Sequence, residues 1–230
     1  MSAFFVTGSG TDVGKTFIAG GLIRHWRRTG RMVEAFKPVV SGFDPTSAAH
    51  SDPGVLLTAM GHSITSDEIE RIAPWRFHAP LSPDMAAARE GRAIDFDALV
   101  QFSEAAVAGH KDILLIEGVG GIMVPLDHSH TVLDWMCALR LPLVFATGSY
   151  LGSISHTLSA LEVLRGRDLR VPALMVSETL GSTVPLEETC ATIARFAGST
   201  PVIGLPRLPP DSFAHPAFAR LADLLLSATE

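Results

Sequence analysis

The sequence predicts an α/β fold in which a mainly parallel sheet is covered by helices on both faces. Two observations predict it: apolar runs alternate with segments of helical periodicity, and the first apolar run breaks into a glycine-rich turn that leads into a helix. This alternation is typical of parallel strands joined by crossover helices. With 230 residues, 47% of them hydrophobic, the chain is long enough to bury a full core, so we expect residues 1–230 to form a single domain.

The apolar runs are the predicted strands, and the periodic segments between them are the predicted helices. The strands lie near residues 3–7, 33–37, 112–116, 142–147, 171–176 and 201–205. The helices cover about 16–29, 54–61, 95–109, 131–140, 153–165, 185–197 and 214–227, with Gly30 and Gly109 as C-terminal caps. Between residues 38 and 95, Pro, Gly, Ser and short helical pieces replace this rhythm, which indicates an elaborated loop region beside an active site.

Charge, cysteine content and hydropathy limit the partners, metal sites and cellular location that the sequence predicts. The net charge of -6 provides no general field that attracts nucleic acid or an anionic membrane, so we expect neither as a partner. Cys137 and Cys190 lie far apart without C-x-x-C spacing, and therefore indicate neither a disulfide framework nor a zinc site. The start of the chain has no basic leader, and no apolar run approaches the roughly 18 residues of a membrane span, so we expect a cytoplasmic protein.

The segment "FFVTGSGTDVGKT", residues 4–16, predicts a phosphate-binding loop and hence a fold of the P-loop NTPase type. The usual pattern G-x-x-x-x-G-K-[ST] places four residues between its glycines, whereas five separate Gly8 from Gly14 here. Backbone N–H groups of the turn would cradle phosphates at the positive end of a helix. Lys15 would neutralise the β- and γ-phosphates, and the Thr16 hydroxyl would ligate Mg²⁺. The alternative is a glycine-rich turn that binds no ligand.

Three further charged residues are candidates for the same edge of the sheet. Glu117 ends the buried run of "DILLIEGVGG", where a carboxylate would point into the ligand crevice and hold Mg²⁺. Lys37 follows a strand; such a lysine is most often solvated, but beside a phosphate loop it could supply a cation to a developing anion. Asp52, in "HSDPG", is either a second Mg²⁺ ligand or a turn former before proline.

The joint set of motifs resembles the dethiobiotin synthetase family over nearly the whole chain. The family opens with a similar long loop, T-G-T-D-T-x-V-G-K-T, and this chain has "TGSGTDVGKT" at 7–16. Further matches, in the family's order and spacing, are "KPVVSG" at 37–42, "SD" at 51–52, "LSPDMAAAREGR" at 81–92, "EGVGG" at 117–121 and "LGSISH" at 151–156. The phosphate loop alone is nonspecific, whereas the joint set is specific.

The resemblance implies an enzyme that makes dethiobiotin, ADP and phosphate from 7,8-diaminononanoate, CO2 or bicarbonate, and ATP with Mg²⁺. One amine captures CO2 as a carbamate whose oxygen attacks the γ-phosphate, and the second amine attacks the resulting anhydride and closes the ring. The implied catalytic residues are Lys37, Lys15 and Thr11. The implied metal ligands are Thr16, Asp52 and Glu117.

The resemblance also implies two sets of binding residues. The nucleotide set is Gly10, Thr11, Asp12, Val13, Gly14, Lys15, Thr16, Asp52, Glu117, Glu178, Pro206, Arg207 and Leu208. The substrate set is Ser41, Gly118, Gly121, Gly152, Ser153 and Ile154. Backbone N–H groups around Gly152, Ser153 and Ile154 would receive the substrate's distal carboxylate across a dimer interface, which implies a homodimer. On local grounds, Ser153 is predicted to cap this helix and His156 to pack against it.

The chain departs from the family pattern at two positions and leaves one competing class. Gly10 replaces the usual Asp of the loop, and Tyr150 stands where a lysine often precedes "LG". The competing class is a partner-switching ATPase of the septum-placement and partitioning type. Those proteins carry a signature lysine five residues before the invariant one, a position that is Gly10 here, and the tail "FARLADLLLSATE" resembles a packing helix more than a membrane-surface helix. Amide synthesis on a cobalamin precursor would need a glutaminase domain for which the chain has no room.

The segment "LMVSETLG", residues 174–181, bears on the nucleotide base. The family resembles V-x-N here, and the Asn amide offers a donor and an acceptor that complement adenine. A Glu178 carboxylate only accepts, so it would leave the adenine N7 unpaired but could accept two guanine N–H groups. The sequence therefore favours a weakened preference for ATP. Two alternatives remain: Glu178 turns to solvent while backbone groups read the base, or Ser177 or Thr179 occupies the position.

Overall fold

The central sheet confirms the predicted fold class. The computed structural model describes residues 1–209 and 213–229. Within them, six strands form a sheet in the order β2-β5-β1-β6-β7-β8, and every neighbouring pair is parallel. These strands are β1 (Ser2–Gly8), β2 (Val33–Phe36), β5 (Ile113–Glu117), β6 (Leu143–Gly148), β7 (Ala173–Ser177) and β8 (Val202–Leu205). Both ends of every strand lie within two residues of the predicted ends.

Helices cover both faces of this sheet. One layer consists of α1 (Lys15–Arg28), α2 (Asp52–Met60), α3 (Ser66–Ile72) and α9 (Pro216–Ser227). The other consists of α4 (Pro83–Arg89), α5 (Phe96–Gly109), α6 (Val132–Leu139), α7 (Ser153–Arg165) and α8 (Leu186–Phe196). No helix of the described ranges is long and apolar enough to cross a membrane.

Alternation along β1 divides the core between these layers. Phe4 packs with the α1 layer and stacks on Trp26 at a centroid distance of 6.0 Å, whereas Phe5 faces the α5 layer and meets Trp135 edge-on at 4.8 Å. The Trp135 indole N–H donates to Ser103 Oγ at 3.0 Å, so this buried polar group is satisfied. Successive side chains of a strand point to opposite faces, and the apolar run at residues 4–6 of β1 is therefore buried on both.

The stretch from 38 to 95 is more ordered than predicted. It contains a second, two-stranded parallel sheet of β3 (Val39–Ser41) and β4 (Trp75–Phe77), besides α3 and α4. A short 3-10 helix (Pro45–His50) precedes α2. The predicted helix at 54–61 begins instead at Asp52, because Ser51 Oγ accepts the Gly54 N–H and caps it there. Strands of three residues carry too little periodicity to be recognised in a sequence.

The two predicted glycine caps have different outcomes. Gly30 follows α1 with φ +84°, and its N–H donates to Arg27 O, so it closes the helix as expected. The prediction for Gly109 is wrong, because this residue is the last of α5 and the chain leaves the helix at His110 in extended conformation. The tail prediction is confirmed: α9 packs Phe218, Leu221 and Leu225 into the core.

At the N-terminal ends of the strands, on the side of the sheet away from the phosphate loop, an ion pair holds the residue that precedes β5. Asp112 accepts hydrogen bonds from Arg31 Nε at 2.9 Å and Nη2 at 2.5 Å, and from the Met32 backbone N–H at 3.0 Å. The side chains are 38% and 20% exposed for Arg31 and Asp112, so solvent screens the pair in part. The hydrogen bonds from Arg31 hold the pKa of Asp112 below its ordinary value.

Asp112→Asn should lower the free energy of unfolding by about 1 kcal/mol at pH 7, because the screened pair and its backbone hydrogen bond are weakened. Since the pKa of Asp112 is depressed in the folded state, its stabilisation is complete above the unfolded carboxyl pKa of about 3.9 and is lost as the pH falls through the folded value. Urea unfolding at pH 7 and at lower pH measures this. Glu104→Gln, on the exposed face of α5, is the control. A difference for Asp112→Asn that persists unchanged below the folded pKa would contradict the prediction.

Candidate active site

The candidate site lies where three parallel strands end side by side. β2, β5 and β1 are adjacent, and their register places Phe36 beside Ile116 and Val6 beside Glu117. Lys37, Glu117 and the phosphate loop therefore leave the sheet at one edge, as predicted. This is also where the strand order changes direction around β1, the position at which open α/β sheets bind ligands.

A cavity of about 860 Å³ opens at this edge. Its lining combines predicted site residues with a wall of residues for which the sequence predicted no role. The predicted members are Thr11, Asp12, Gly14, Lys15, Thr16, Lys37, Ser41 and Asp52. The wall includes Val40, His50, Pro80, Leu81, Ser82, Pro83, Val119 and Val124. The motif "LSPD" was a signal for part of this wall, because it belongs to the set of family matches.

The phosphate loop wraps closely around its own lysine. Gly14 has φ +90° and precedes the first residue of α1, which is Lys15, and Asp12 also adopts a positive φ of 57°. Lys15 Nζ donates to Gly10 O at 2.6 Å, so the residue that departs from the family pattern contributes its backbone carbonyl here. Burial, followed by the charge of Lys37, lowers the pKa of Lys15 to about 8.

A buried network links Lys37 to two carboxylates. Lys37 is 2% exposed, and its ammonium donates to Glu117 Oε1 at 2.8 Å and to Gly118 O at 2.7 Å. It also forms an ion pair with Asp52 Oδ2 at 3.0 Å. Thr16 Oγ1 donates to the same Glu117 Oε1 at 2.6 Å. The predicted Mg²⁺ ligands thus lie together, and Lys37 is not the solvated lysine that a strand end usually carries.

The pKa values of this network follow from burial and pairing. Burial alone would lower the pKa of Lys37, but the charges of Glu117 and Asp52 outweigh burial and raise it to about 12. Burial raises the pKa of Glu117 above its ordinary value, although the Lys37 charge opposes the rise. For Asp52 burial acts in the same direction and is the largest single effect, but the charge of Lys37 and the polar contacts with Lys37 and Thr16 together outweigh it, and the pKa is lowered. Lys37 is therefore a fixed cation at neutral pH.

The glycines after Glu117 allow close packing against the phosphate loop. Gly120 has φ +59°. Gly121 lies so close to the loop that an added methyl group would stand 3.1 Å from Ser9 O and 3.3 Å from Gly10 Cα. Behind this contact, Ser9 Oγ and Thr147 Oγ1 are 2.8 Å apart, and Thr157 Oγ1 donates to Thr147 at 2.8 Å. The phosphate loop is thus held from both sides.

The residues predicted to bind the distal carboxylate do not line the cavity of their own chain. Gly152, Ser153 and Ile154 begin α7. The prediction that Ser153 caps this helix is wrong: Gly152, with φ +98°, is the N-cap, and the buried Ser153 Oγ has no hydrogen-bond partner within the described ranges. His156 is exposed and pairs with Tyr150 OH at 2.9 Å, so the packing role predicted for it is also wrong.

The predicted base-binding residues lie at the next strand ends. Glu178 is exposed, and its Oε2 accepts the Arg207 backbone N–H at 2.7 Å, which ties the end of β7 to the segment 206–208 after β8. Thr179 exchanges hydrogen bonds with Ser149. Ser177 abuts the phosphate loop, since a methyl group at Gly14 would lie 2.8 Å from Ser177 Oγ. Ser177 therefore adjoins the phosphate loop, and none of these residues lines the cavity.

Comparison with known proteins identifies the family. A family model described as an AAA domain matches residues 2–212. The chain is 51% identical over 202 residues to the ATP-dependent dethiobiotin synthetase BioD of Acidiphilium cryptum, with 87% of this chain and 91% of the relative covered. The chain belongs to the dethiobiotin synthetase family. The synthetase of Phenylobacterium zucineum is 48% identical, with 90% and 89% covered, and that of Pseudomonas aeruginosa is 35% identical, with 90% and 91% covered.

Solved structures agree with the fold. The septum site-determining protein MinD complexed with Mg-ADP from Pyrococcus horikoshii aligns with a TM-score of 0.60 at 16% identity, covering 99% of this chain and 97% of that protein. MinD of Aquifex aeolicus gives 0.56 at 13%, with 100% and 97% covered. At such identities the likeness concerns the P-loop NTPase fold alone. As a member of the dethiobiotin synthetase family, the chain is an ATP-dependent ligase of the cyclo-ligase kind, and ATP is its co-substrate.

Gly121→Ala should weaken ATP binding by about tenfold, or about 1.4 kcal/mol, because the added methyl group displaces the backbone of the phosphate loop. Isothermal titration calorimetry with ATP measures the change. Gly109→Ala is the matched control, since a methyl group there would meet no atom of the described chain within 4 Å. Equal affinities for the two variants would show that the loop tolerates displacement at this contact.

Proposed function

We propose that the chain, acting as one cytoplasmic P-loop domain, carboxylates 7,8-diaminononanoate with CO2 at the expense of ATP and closes the ureido ring of dethiobiotin. The observation that carries the proposal is the pair of ammonium groups, Lys15 and Lys37, which face one cavity together with hydroxyl groups. Carbamate formation and phosphoryl transfer both concentrate negative charge on oxygens. Cations fixed around such oxygens stabilise the charge as it develops.

Four polar side chains of the cavity have roles in phosphate and substrate binding. Lys15 binds the β- and γ-phosphates, and Lys37 provides charge to the carbamate oxygen that attacks the γ-phosphate. Thr11 and Ser41 hold the diamine or its carbamate through their hydroxyl groups. Ser41 Oγ is buried and has no partner among residues 1–209 and 213–229, which supports a role in hydrogen bonding to a ligand. Gly118 and Gly121, which do not line the cavity, would allow the backbone after Glu117 to lie close to the substrate. Positioning of this kind provides much of the rate of a bimolecular step.

The residues Thr16, Asp52 and Glu117 fit a Mg²⁺ ion. Glu117 Oε2 is buried without a hydrogen-bond partner in the described part of the chain, and an unpaired carboxylate oxygen in such a place is suited to a hard cation. The set consists of two carboxylates and a hydroxyl rather than three or more His, Cys, Asp or Glu side chains, a grouping that the described ranges do not contain. When bound, Mg²⁺ would supply charge neutralisation at the phosphates.

A homodimer would complete the substrate site. Gly152, Ser153 and Ile154 begin α7 away from the cavity, so their N–H groups would serve the distal carboxylate of a substrate bound to the partner subunit. Two exposed apolar side chains beside them support an interface: Leu151 is 89% exposed and Leu180 is 77% exposed. Ser149 connects their loops through hydrogen bonds to Ser177 O and Thr179.

The proposed function is tested by incubating protein with diaminononanoate, bicarbonate and MgATP and detecting dethiobiotin by mass spectrometry. Lys37→Ala should lower kcat by about 100-fold or more, as expected for loss of a charge aimed at the reacting groups, while the dissociation constant for ATP changes far less. Lys111→Ala removes a surface lysine at the other edge of the sheet and is the matched control. Absence of product with wild-type protein, or unchanged kcat in Lys37→Ala, would contradict this assignment.

For the nucleotide base, we propose that Glu178 weakens the preference for ATP. Its carboxylate supplies acceptors only, and one of these is engaged by Arg207, so an amide-like pairing with adenine is not formed by this side chain. Pro206, Arg207 and Leu208 would then contact the base through their backbone. Initial rates with ATP, GTP and CTP at equal free Mg²⁺ should differ by less than about 100-fold, or about 2.7 kcal/mol.

Two variants sharpen this measurement of base preference. Glu178→Gln adds a donor and should raise the ratio of the ATP rate to the GTP rate, whereas Glu188→Gln, the same change at another exposed position on α8, should leave the ratio as in the wild type. A preference for ATP above about 100-fold in the wild type would mean that adenine is read specifically by other groups.

A further inference from the structure

We propose that Lys37 is an exchangeable counter-ion: its ammonium neutralises Asp52 and Glu117, and it is released into the cavity when these carboxylates bind a divalent cation. This rests on the metal ligands assigned under the proposed function. It adds that the cation and the catalytic lysine compete for the same two carboxylates, so that metal binding controls the position of Lys37.

The contacts of Lys37 are the first support. Its ammonium donates to Glu117 Oε1 at 2.8 Å and to Gly118 O at 2.7 Å, and it forms an ion pair with Asp52 Oδ2 at 3.0 Å. The side chain is also 3% exposed. Three acceptors in the protein therefore compete with any carbamate or phosphate oxygen for this ammonium. To act fully on a substrate, Lys37 has to give up at least one of these contacts.

The charge balance of the network is the second support. Two carboxylates and one ammonium sum to -1, a local charge that attracts a cation. With a divalent cation on the same carboxylates and Lys37 still in place, the sum would be +1, and Lys15 adds a further positive charge nearby. Two cations bound to the same carboxylates stand only a few ångströms apart, where their repulsion is strong in a buried site. Release of Lys37 removes this repulsion.

The two carboxylates differ in how they would take part in the exchange. Glu117 Oε1 accepts from both Thr16 and Lys37, whereas the buried Oε2 has no partner in the described chain and is open to a cation. Asp52 is 44% exposed and makes the longest of the three contacts, so its link to Lys37 is the one that solvent and a cation reach first. Lys37, which lines the cavity beside Ser41, then turns toward anionic groups bound there.

Binding of Mn²⁺ to the full chain without nucleotide tests the competition directly. Electron paramagnetic resonance reports free Mn²⁺, and Lys37→Met should bind the ion at least about tenfold more tightly than the wild type, because a competing positive charge is gone. Lys111→Met makes the same change in net charge at the opposite edge of the sheet and should bind as the wild type does. Circular dichroism establishes that both variants are folded. Affinity in Lys37→Met no tighter than in the wild type would overturn the proposal.

A second measurement uses wild-type protein and does not depend on a variant that folds. With lysines labelled by ¹⁵N, the protected ammonium of Lys37 should give a signal in slow exchange with water, and Mg²⁺ added until it outcompetes Mn²⁺ should abolish this protection while Lys111 is unaffected. A Lys37 signal that stays protected at a filled site would overturn the exchange. If dethiobiotin still forms in that case, the proposed function stands without it.

Discussion

The contact on which the site depends is the buried pair of Lys37 and Glu117. Two opposite charges, 2% and 1% exposed, meet at the edge of the sheet, and neither would be tolerated there alone, because an unpaired buried charge is costly. The pair also requires that β2 and β5 be neighbours in register, since each residue belongs to the end of one strand. The Lys37–Glu117 pair therefore depends on the order of the strands and, in turn, sets the charge at the cavity.

The parts of the fold that the sequence predicted are those with local signals. The strand, turn and helix around Lys15 could be recognised because apolar residues, glycines and helical periodicity follow one another within a single segment. Glu117 could be placed because a buried run stops at a carboxylate. The prediction that Gly109 caps α5 was wrong because composition alone does not reveal whether the chain leaves a helix with positive φ.

The parts that could not be predicted depend on contacts between distant segments. β3 and β4 pair although α2 and α3 separate them in sequence, and strands of three residues have no pattern of their own. Asp52 could be read as a turn former or a ligand, because only the fold brings α2 to Lys37. In the same way, Glu178 offered a carboxylate in the sequence, whereas its engagement with Arg207 follows from the adjacency of β7 and β8.

The second sheet belongs to a segment that lines part of the cavity and is separate in sequence from the phosphate loop. The phosphate loop and Glu117 belong to the main sheet, whereas Ser41, Asp52 and the wall at Pro80–Pro83 all belong to the excursion that joins β2 to α5. β3 and β4 give this excursion its own hydrogen-bonded frame. Insertions or exchanges in the excursion that spare Asp52 therefore reshape the cavity around an acceptor molecule and leave the phosphate loop and Glu117 unchanged. In such a fold, changes confined to one segment can adapt the cavity to different small-molecule acceptors.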